Sequence, residues 1–177
     1  MGGTTMKRIV LFVVVFTSTF LFFHACYMDR EYALYLRNDG DYSIMALELP
    51  DSWSLEIDNY SDTILPEEVN YNSWSLALKD RTKANVWPWS VDLLYFMEHR
   101  HIDTICVFVF KTEVIEQYSW DSIRSNYLVL QRYDLSYEDV AYFDYEICFP
   151  PSEAMKAIHM WPPYGTYDAH GNLRGIP

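Results

Sequence analysis

The stretch "DTICVFVF", Asp103 to Phe110, decides the fold. After Asp103 and Thr104 it is apolar without a break, and it is rich in β-branched and aromatic side chains. A strand with one wet face alternates apolar and polar residues. An unbroken run of this length reads instead as a central strand covered on both faces. The domain must therefore supply packing material on two sides of this strand.

The flanking sequence supplies it. Upstream, "WPWSVDLLYFMEHR" predicts a helix, with Ser90 as N-cap, Asp92 in the first turn, and Leu93, Leu94 and Met97 on one face. Downstream, "KTEVIEQY" and "SWDSIRSNY" predict two short helical turns. Ser119 caps the second, and Tyr118 and Ile123 are placed as a staple. "YLVLQRYD" is the next strand. "LSYEDVAYF" then carries a helix start with Ser136 as N-cap, Asp139 reaching back from N3, and Leu135 against Val140. "DYEICFP" is a last strand stopped by Pro150-Pro151, and "SEAMKAIHM" a short helix capped by Ser152.

Nearer the N-terminus, Tyr32–Leu36 and Ile44–Leu49 flank "RNDGD". Asp39-Gly40 between β-prone runs predicts a hairpin. Residues 50–75 are rich in Asp, Asn, Ser and Tyr and read as loops, with "SWSLALKD" as a short strand. The expected class is α+β: a small mixed sheet with an N-terminal hairpin and short helices packed on it, with room for a parallel β-α-β unit in the second half. Residues 32–160 form the globular domain in this reading. Residues 161–177, with three Pro and three Gly, form an extended C-terminal tail.

Composition narrows the chemistry. Half of the 177 residues are hydrophobic and 18% are aromatic, enough for one packed core. The net charge of −12 opposes binding to nucleic acid or to anionic lipid through a basic patch. No Gly occurs between Gly40 and Gly165. Phosphate cradles, dinucleotide fingerprints and nucleophile elbows need Gly where backbone turns left-handed or approaches a ligand closely, so those chemistries are excluded from the body of the domain.

The first 25 residues read as an export signal. Lys7-Arg8 is followed by an apolar run from Ile9 to Phe23 that is too short to span a bilayer. Met1 and Met6 are both candidate starts. Cleavage after Ala25 by ordinary signal peptidase would place the bulky Phe23 at −3, where a small residue is required. The segment "LFFHAC" resembles a bacterial lipobox, with a small residue before Cys26, although Phe23 and His24 depart from the usual Leu and small residue. That resemblance implies cleavage before Cys26, acylation of its thiol and amine, and anchoring in the lipid bilayer of a bacterial cell envelope, at the outer membrane or the periplasmic face. Residues 26–31 would then be a spacer. An uncleaved anchor and plain secretion are the alternatives.

Other constellations are weaker. Cys106 and Cys148 lie in strand-like segments, and an exported domain could join them in a disulfide or keep both as buried thiols. A buried Cys106 would be inert as a nucleophile. Glu98, His99 and His101 precede the central strand and would need Asp103 or His159 to complete a metal site; a polar loop is the simpler reading, and no metal or other cofactor is expected. Asp134, Glu138, Asp139, Asp144 and Glu146 offer carboxylates but no hydrolase motif. There is no GxSxG or SxxK, and the chain reads as non-enzymatic, with a small hydrolase as the remotest option. Trp53, Trp74, Trp87 and Trp89 lie in loop-like stretches. They either stack on a glycan or fill the core. Thr63, Thr104 and Ser122 each sit in an Asp-Thr/Ser-Ile triplet resembling an O-glycosylation signal of exported bacterial proteins, and Thr63 is the best placed.

The block "YSWDSIRSNYLVLQRYDLSYEDV", followed by "FPPSEAMKAI" and "MWPPYG", resembles a pattern in small lipoproteins of Bacteroidota-type bacteria, a family without an assigned activity. The resemblance covers the C-terminal half best. It implies location and fold kinship, and it carries no catalytic residue. The expected molecule is a lipid-anchored envelope protein. Its alternative is a glycan- or peptide-binding accessory module with a glycan or envelope protein as partner.

Overall fold

The computed structural model describes residues 33–48, 64–67, 74–79, 81–87 and 93–174. The chain divides into two units, Met1–Glu31 and Tyr32–Pro177, and every described residue belongs to the second. Among the described residues there are eight strands: β1 (Tyr35–Asn38), β2 (Ile44–Glu48), β3 (Trp74–Ala77), β4 (Lys83–Asn85), β5 (Thr104–Lys111), β6 (Gln131–Ser136), β7 (Glu146–Phe149) and β8 (His159–Trp161). Four short helices accompany them: α1 (Leu93–Arg100), α2 (Thr112–Gln117), α3 (Trp120–Asn126) and α4 (Tyr137–Tyr142), with one 3-10 turn at Glu153–Ala157.

The class is α+β, as the sequence predicts, but built on two sheets. One has the order β4-β1-β7 and is mixed: β1 runs antiparallel to β4 and parallel to β7. The other has the order β3-β2-β5-β6, antiparallel throughout, with the short β8 added at the β6 edge. β5 is central in this larger sheet and buried from Ile105 to Phe110. Its side chains divide between two cores as a period of two requires. Ile105, Val107 and Val109 enter the main core with Leu36, Leu93, Met97, Tyr133, Val140 and Phe149. Cys106, Phe108 and Phe110 enter a second core with Leu47, Leu65, Trp120 and Ile123.

The N-terminal hairpin does not form. β1 and β2 belong to different sheets, because the turn between them spends its backbone groups elsewhere. Asp39 N–H donates to Phe149 O at 2.7 Å and Asp41 N–H to His170 O at 3.0 Å. The buried Asn38 side chain accepts from Gly40 N and donates to Tyr42 O, which turns the chain out of the first sheet. A Cβ on Gly40 would lie 3.3 Å from Asn38 Oδ1, so this glycine serves close approach.

Nor is there a parallel β-α-β unit in the second half; the one parallel pair among the described strands is β1 with β7. A crossover must bring the chain back along the eight residues of β5, roughly 26 Å. Neither α2 nor α3 exceeds about 11 Å, and the left-handed Tyr127 turns the chain so that β6 returns antiparallel.

Local capping is as expected at two helices. Ser119 accepts from Ser122 N, although Tyr118 stays exposed while Ile123 is buried. Ser136 and Asp139 form a reciprocal capping box at α4. The Ser152 side chain makes no cap bond. The predicted cap Ser90 and the first-turn Asp92 lie outside the described residues.

Residues 161–174, read from the sequence as the start of a loose tail, pack onto the domain. Tyr167 is buried and donates to Leu130 O at 2.5 Å, and Gly171 O accepts from Tyr42 Oη at 2.5 Å. Gly171 has a φ of +81°, and a Cβ there would meet Tyr42 Oη at 3.0 Å. The aromatic rings of the body hold this segment where its Pro and Gly content suggests freedom.

Candidate functional site

The candidate site lies at the polar end of the larger sheet, on the face opposite the main core. β6 alternates: Gln131, Tyr133 and Leu135 are on the main-core side, while Arg132 and Asp134 are on the opposite face, beside Phe108 and Cys106 of the second core. Register sets their neighbours. Cys106 on β5 and His159 on β8 flank Asp134, and Phe108 and Trp161 flank Arg132. Two rows of three side chains thus cross the sheet on one face, Cys106-Asp134-His159 and Phe108-Arg132-Trp161.

Asp134 organises the first row. Its Oδ1 accepts from Cys106 Sγ at 2.8 Å and from Arg132 Nε at 2.7 Å, and its Oδ2 lies 2.7 Å from His159 Nδ1. A neutral His159 that donates to Asp134 from Nδ1 carries its acceptor nitrogen at Nε2. Arg132 is buried and its guanidinium carbon sits 5.7 Å from the Phe108 ring centre. Burial lowers the affinity of Arg132 for its proton, but the bond to Asp134 together with the neighbouring Cys106, Asp134 and Tyr127 charges outweighs it and the pKa is raised. Burial, reinforced by Asp134, pushes the Cys106 thiol well above its ordinary value. His159 and Trp161 remain accessible at 63% and 37%.

This geometry holds an exposed histidine through its Nδ1 and does not pair it with Cys106. Cys106 is protonated, buried and on the far side of Asp134 from His159, so a Cys-His pair does not form. His159 and Trp161 thus place an imidazole and an indole two residues apart on the edge strand β8, beside the buried Arg132-Asp134 pair.

The other residues singled out in the sequence fall elsewhere. Cys106 and Cys148 are free, buried thiols in different sheets and different cores, the second of the two alternatives and not the possible disulfide. Cys148 instead has Met155 Sδ at 3.6 Å. His99 stacks on Tyr95 at 5.5 Å, and His101 takes a left-handed turn after α1. Glu98, His101, Asp103 and Glu138 line one open depression, while His159 stands on β8. Among the described residues, no three of His, Cys, Asp and Glu are grouped to hold a metal ion.

Asp139 is occupied in its capping box and Asp144 sits in a left-handed turn. Glu146 accepts from Lys83 Nζ and Arg37 Nη1. Burial pushes its pKa up, but Lys83 and Arg37 outweigh this and hold it below the ordinary carboxylate value. Trp87 is buried edge-on to Phe96, so it is a core residue and not a sugar platform. Thr104 is half-buried at the start of β5 and Ser122 lies in α3. Cys26, Trp53, Thr63 and Trp89 lie outside the described residues, and the side chain of Trp74 does too.

Sequence reasoning noticed Cys106, Asp134 and His159 separately, each for a different chemistry, and missed Arg132 and Trp161. The signal was present. "QRYDLS" places two charges at i and i+2 against Tyr133 and Leu135, and "HMW" places His159 and Trp161 on one face of a strand. Comparison with protein families, with curated proteins and with solved structures returns no match.

Proposed function

We propose that this chain is a lipid-anchored protein of the bacterial cell envelope, tethered through acylated Cys26, whose folded domain binds a glycan and carries out no chemistry. The observation that carries the binding reading is the paired display of Trp161 and His159 beside the buried Arg132-Asp134 pair. Alternate residues on a strand stand about 6.6 Å apart, close to the dimension of one sugar ring. An indole face covers the apolar face of such a ring, while His159, held from behind by Asp134, hydrogen-bonds to hydroxyls. The support for the tether lies in "LFFHAC" and in the start of the folded unit at Tyr32, shortly after Cys26.

The two halves are tested separately. Bacteria expressing the chain are fed a clickable fatty acid; Cys26→Ala is expected to abolish labelling, and equal labelling of both proteins would sink the tether. For binding, the full chain in detergent micelles is screened by saturation-transfer NMR against neutral envelope oligosaccharides. Signals that vanish in Trp161→Ala support the glycan surface, and signals indifferent to that change remove it.

A further inference from the structure

We infer that a second cleft, at the end of the smaller sheet, binds a small carboxylate-bearing ligand of about one sugar ring, with Arg81 and Arg174 as its anchors. The cleft has a volume of about 310 Å³, at the lower edge of the range for small-molecule sites. Arg81, Arg174, Tyr164 and Pro150-Pro151 are among its walls.

The charges in this cleft are unevenly satisfied. Asp39 lines it, but Arg37 already engages that carboxylate, with Nε 3.0 Å from Oδ1 and Nη2 2.9 Å from Oδ2. Asp168 lines it too, yet its Oδ1 accepts the backbone N–H groups of His170 and Asn172 at 2.8 and 2.9 Å. Both acids therefore have partners that hold the local structure. The cations do not. Arg81 reaches Asp39 only at 3.7 Å with its side chain 83% exposed, and Arg174 has no anionic partner among the described residues. In a chain of net charge −12, two guanidiniums thus line one concave surface whose two carboxylates are engaged mainly by other groups.

Guanidinium is the side chain that takes a carboxylate through two parallel hydrogen bonds. The ring of Tyr164 and the Pro150-Pro151 pair supply an apolar wall for the body of the ligand. One carboxylate between the two arginines, with a ring against that wall, uses both halves of the cleft. This site is distinct from the one on the larger sheet and stands or falls without it.

The test is a saturation-transfer NMR titration of the full chain in micelles with glucuronate, with glucose as the uncharged control and inorganic phosphate as competitor. Glucuronate is expected to bind saturably and glucose not. Arg81→Gln and Arg174→Gln should each weaken glucuronate about tenfold, and Arg174→Lys, which keeps the charge but loses the fork, should weaken it less. Trp161→Ala should leave it unchanged. Equal affinity in wild type and both Gln variants overturns the inference. Displacement by phosphate at concentrations below those at which glucuronate itself binds overturns the carboxylate assignment. Both arginines are exposed, and an unchanged melting temperature in each variant shows that the fold is intact.

Discussion

Arg132 Nε donates to Asp134 Oδ1 at 2.7 Å, two residues along one strand, with only 3% and 8% of the two side chains exposed. Taking two charges out of water costs several kcal/mol per ion, and their attraction returns that cost only while both are present. Asp134→Leu leaves Arg132 buried without its nearest anion. It is expected to destabilise the domain by about 3–5 kcal/mol. Arg132→Met combined with Asp134→Leu should recover most of that loss, since an apolar pair of similar volume removes both desolvation penalties. Urea denaturation of the two variants measures the difference. A double variant as unstable as the single one would show that the pair holds β8 in place through His159 rather than merely neutralising itself.

The free thiols give a count that can be read directly. Cys106 and Cys148 are both buried, and burial raises both pKa values. Native protein should therefore react slowly with a thiol reagent, because the attacking species is the thiolate. The chain contains three cysteines, and one of them, Cys26, is the proposed acylation site. Denatured protein purified from membranes should expose the two thiols at 106 and 148, whereas denatured Cys26-unmodified protein made without export should expose all three. Fewer reactive thiols in the membrane-derived protein, restored by a reductant, would indicate a disulfide and contradict the separation of the two cysteines between sheets.

Features set by neighbours in sequence were legible. The unbroken run around Val107 is buried on both faces, and Ser119 and Ser136 cap their helices. Features set by distant strands were not. Asp39-Gly40 carries a hairpin signal, yet β1 takes its partners from Lys83–Asn85 and Glu146–Phe149, and no local pattern names them. The same holds at the candidate site. Asp134 stood out as one carboxylate among many, and only the β5-β6-β8 register places Cys106 and His159 on either side of it. The scarcity of glycine also concealed backbone. Arg81, His101, Tyr127, Asp144 and Tyr145 all have positive φ, so left-handed turns occur where sequence alone places none.

His101 is the clearest of these turns. It follows α1 with a φ of 56°, its side chain is exposed, and its N–H donates to Glu98 O at 3.2 Å. The left-handed conformation costs an L-residue about 1–2 kcal/mol, and Gly avoids that cost while losing part of the gain to its freer unfolded chain. Gly is also the preferred residue just past a helix end. His101→Gly is expected to stabilise the domain by about 0.5–1 kcal/mol, visible as a higher melting temperature. A lower melting temperature would mean that the imidazole contributes a contact worth more than the strain.

Glu146 sets the acid limit of the smaller sheet. It stands on β7 beside β1 and accepts from Arg37 on β1 and Lys83 on β4, tying the three strands together. Its pKa in the folded protein lies below the ordinary 4.5, because the two cations outweigh its partial burial. The unfolded chain therefore binds the proton more tightly than the folded one. Stability from this group is complete above 4.5 and is lost as the pH falls through the lower folded value. Glu146→Gln should be less stable than wild type at neutral pH by about 0.5–1 kcal/mol, a modest figure because the pair is partly open to solvent. The gap between the two proteins should then close as the pH drops below the ordinary carboxylate value, since protonated Glu146 resembles Gln. Denaturation curves across the acid limb measure that gap. A gap that stays constant would show that Glu146 holds the sheet by packing and neutral hydrogen bonds, with its charge playing no part.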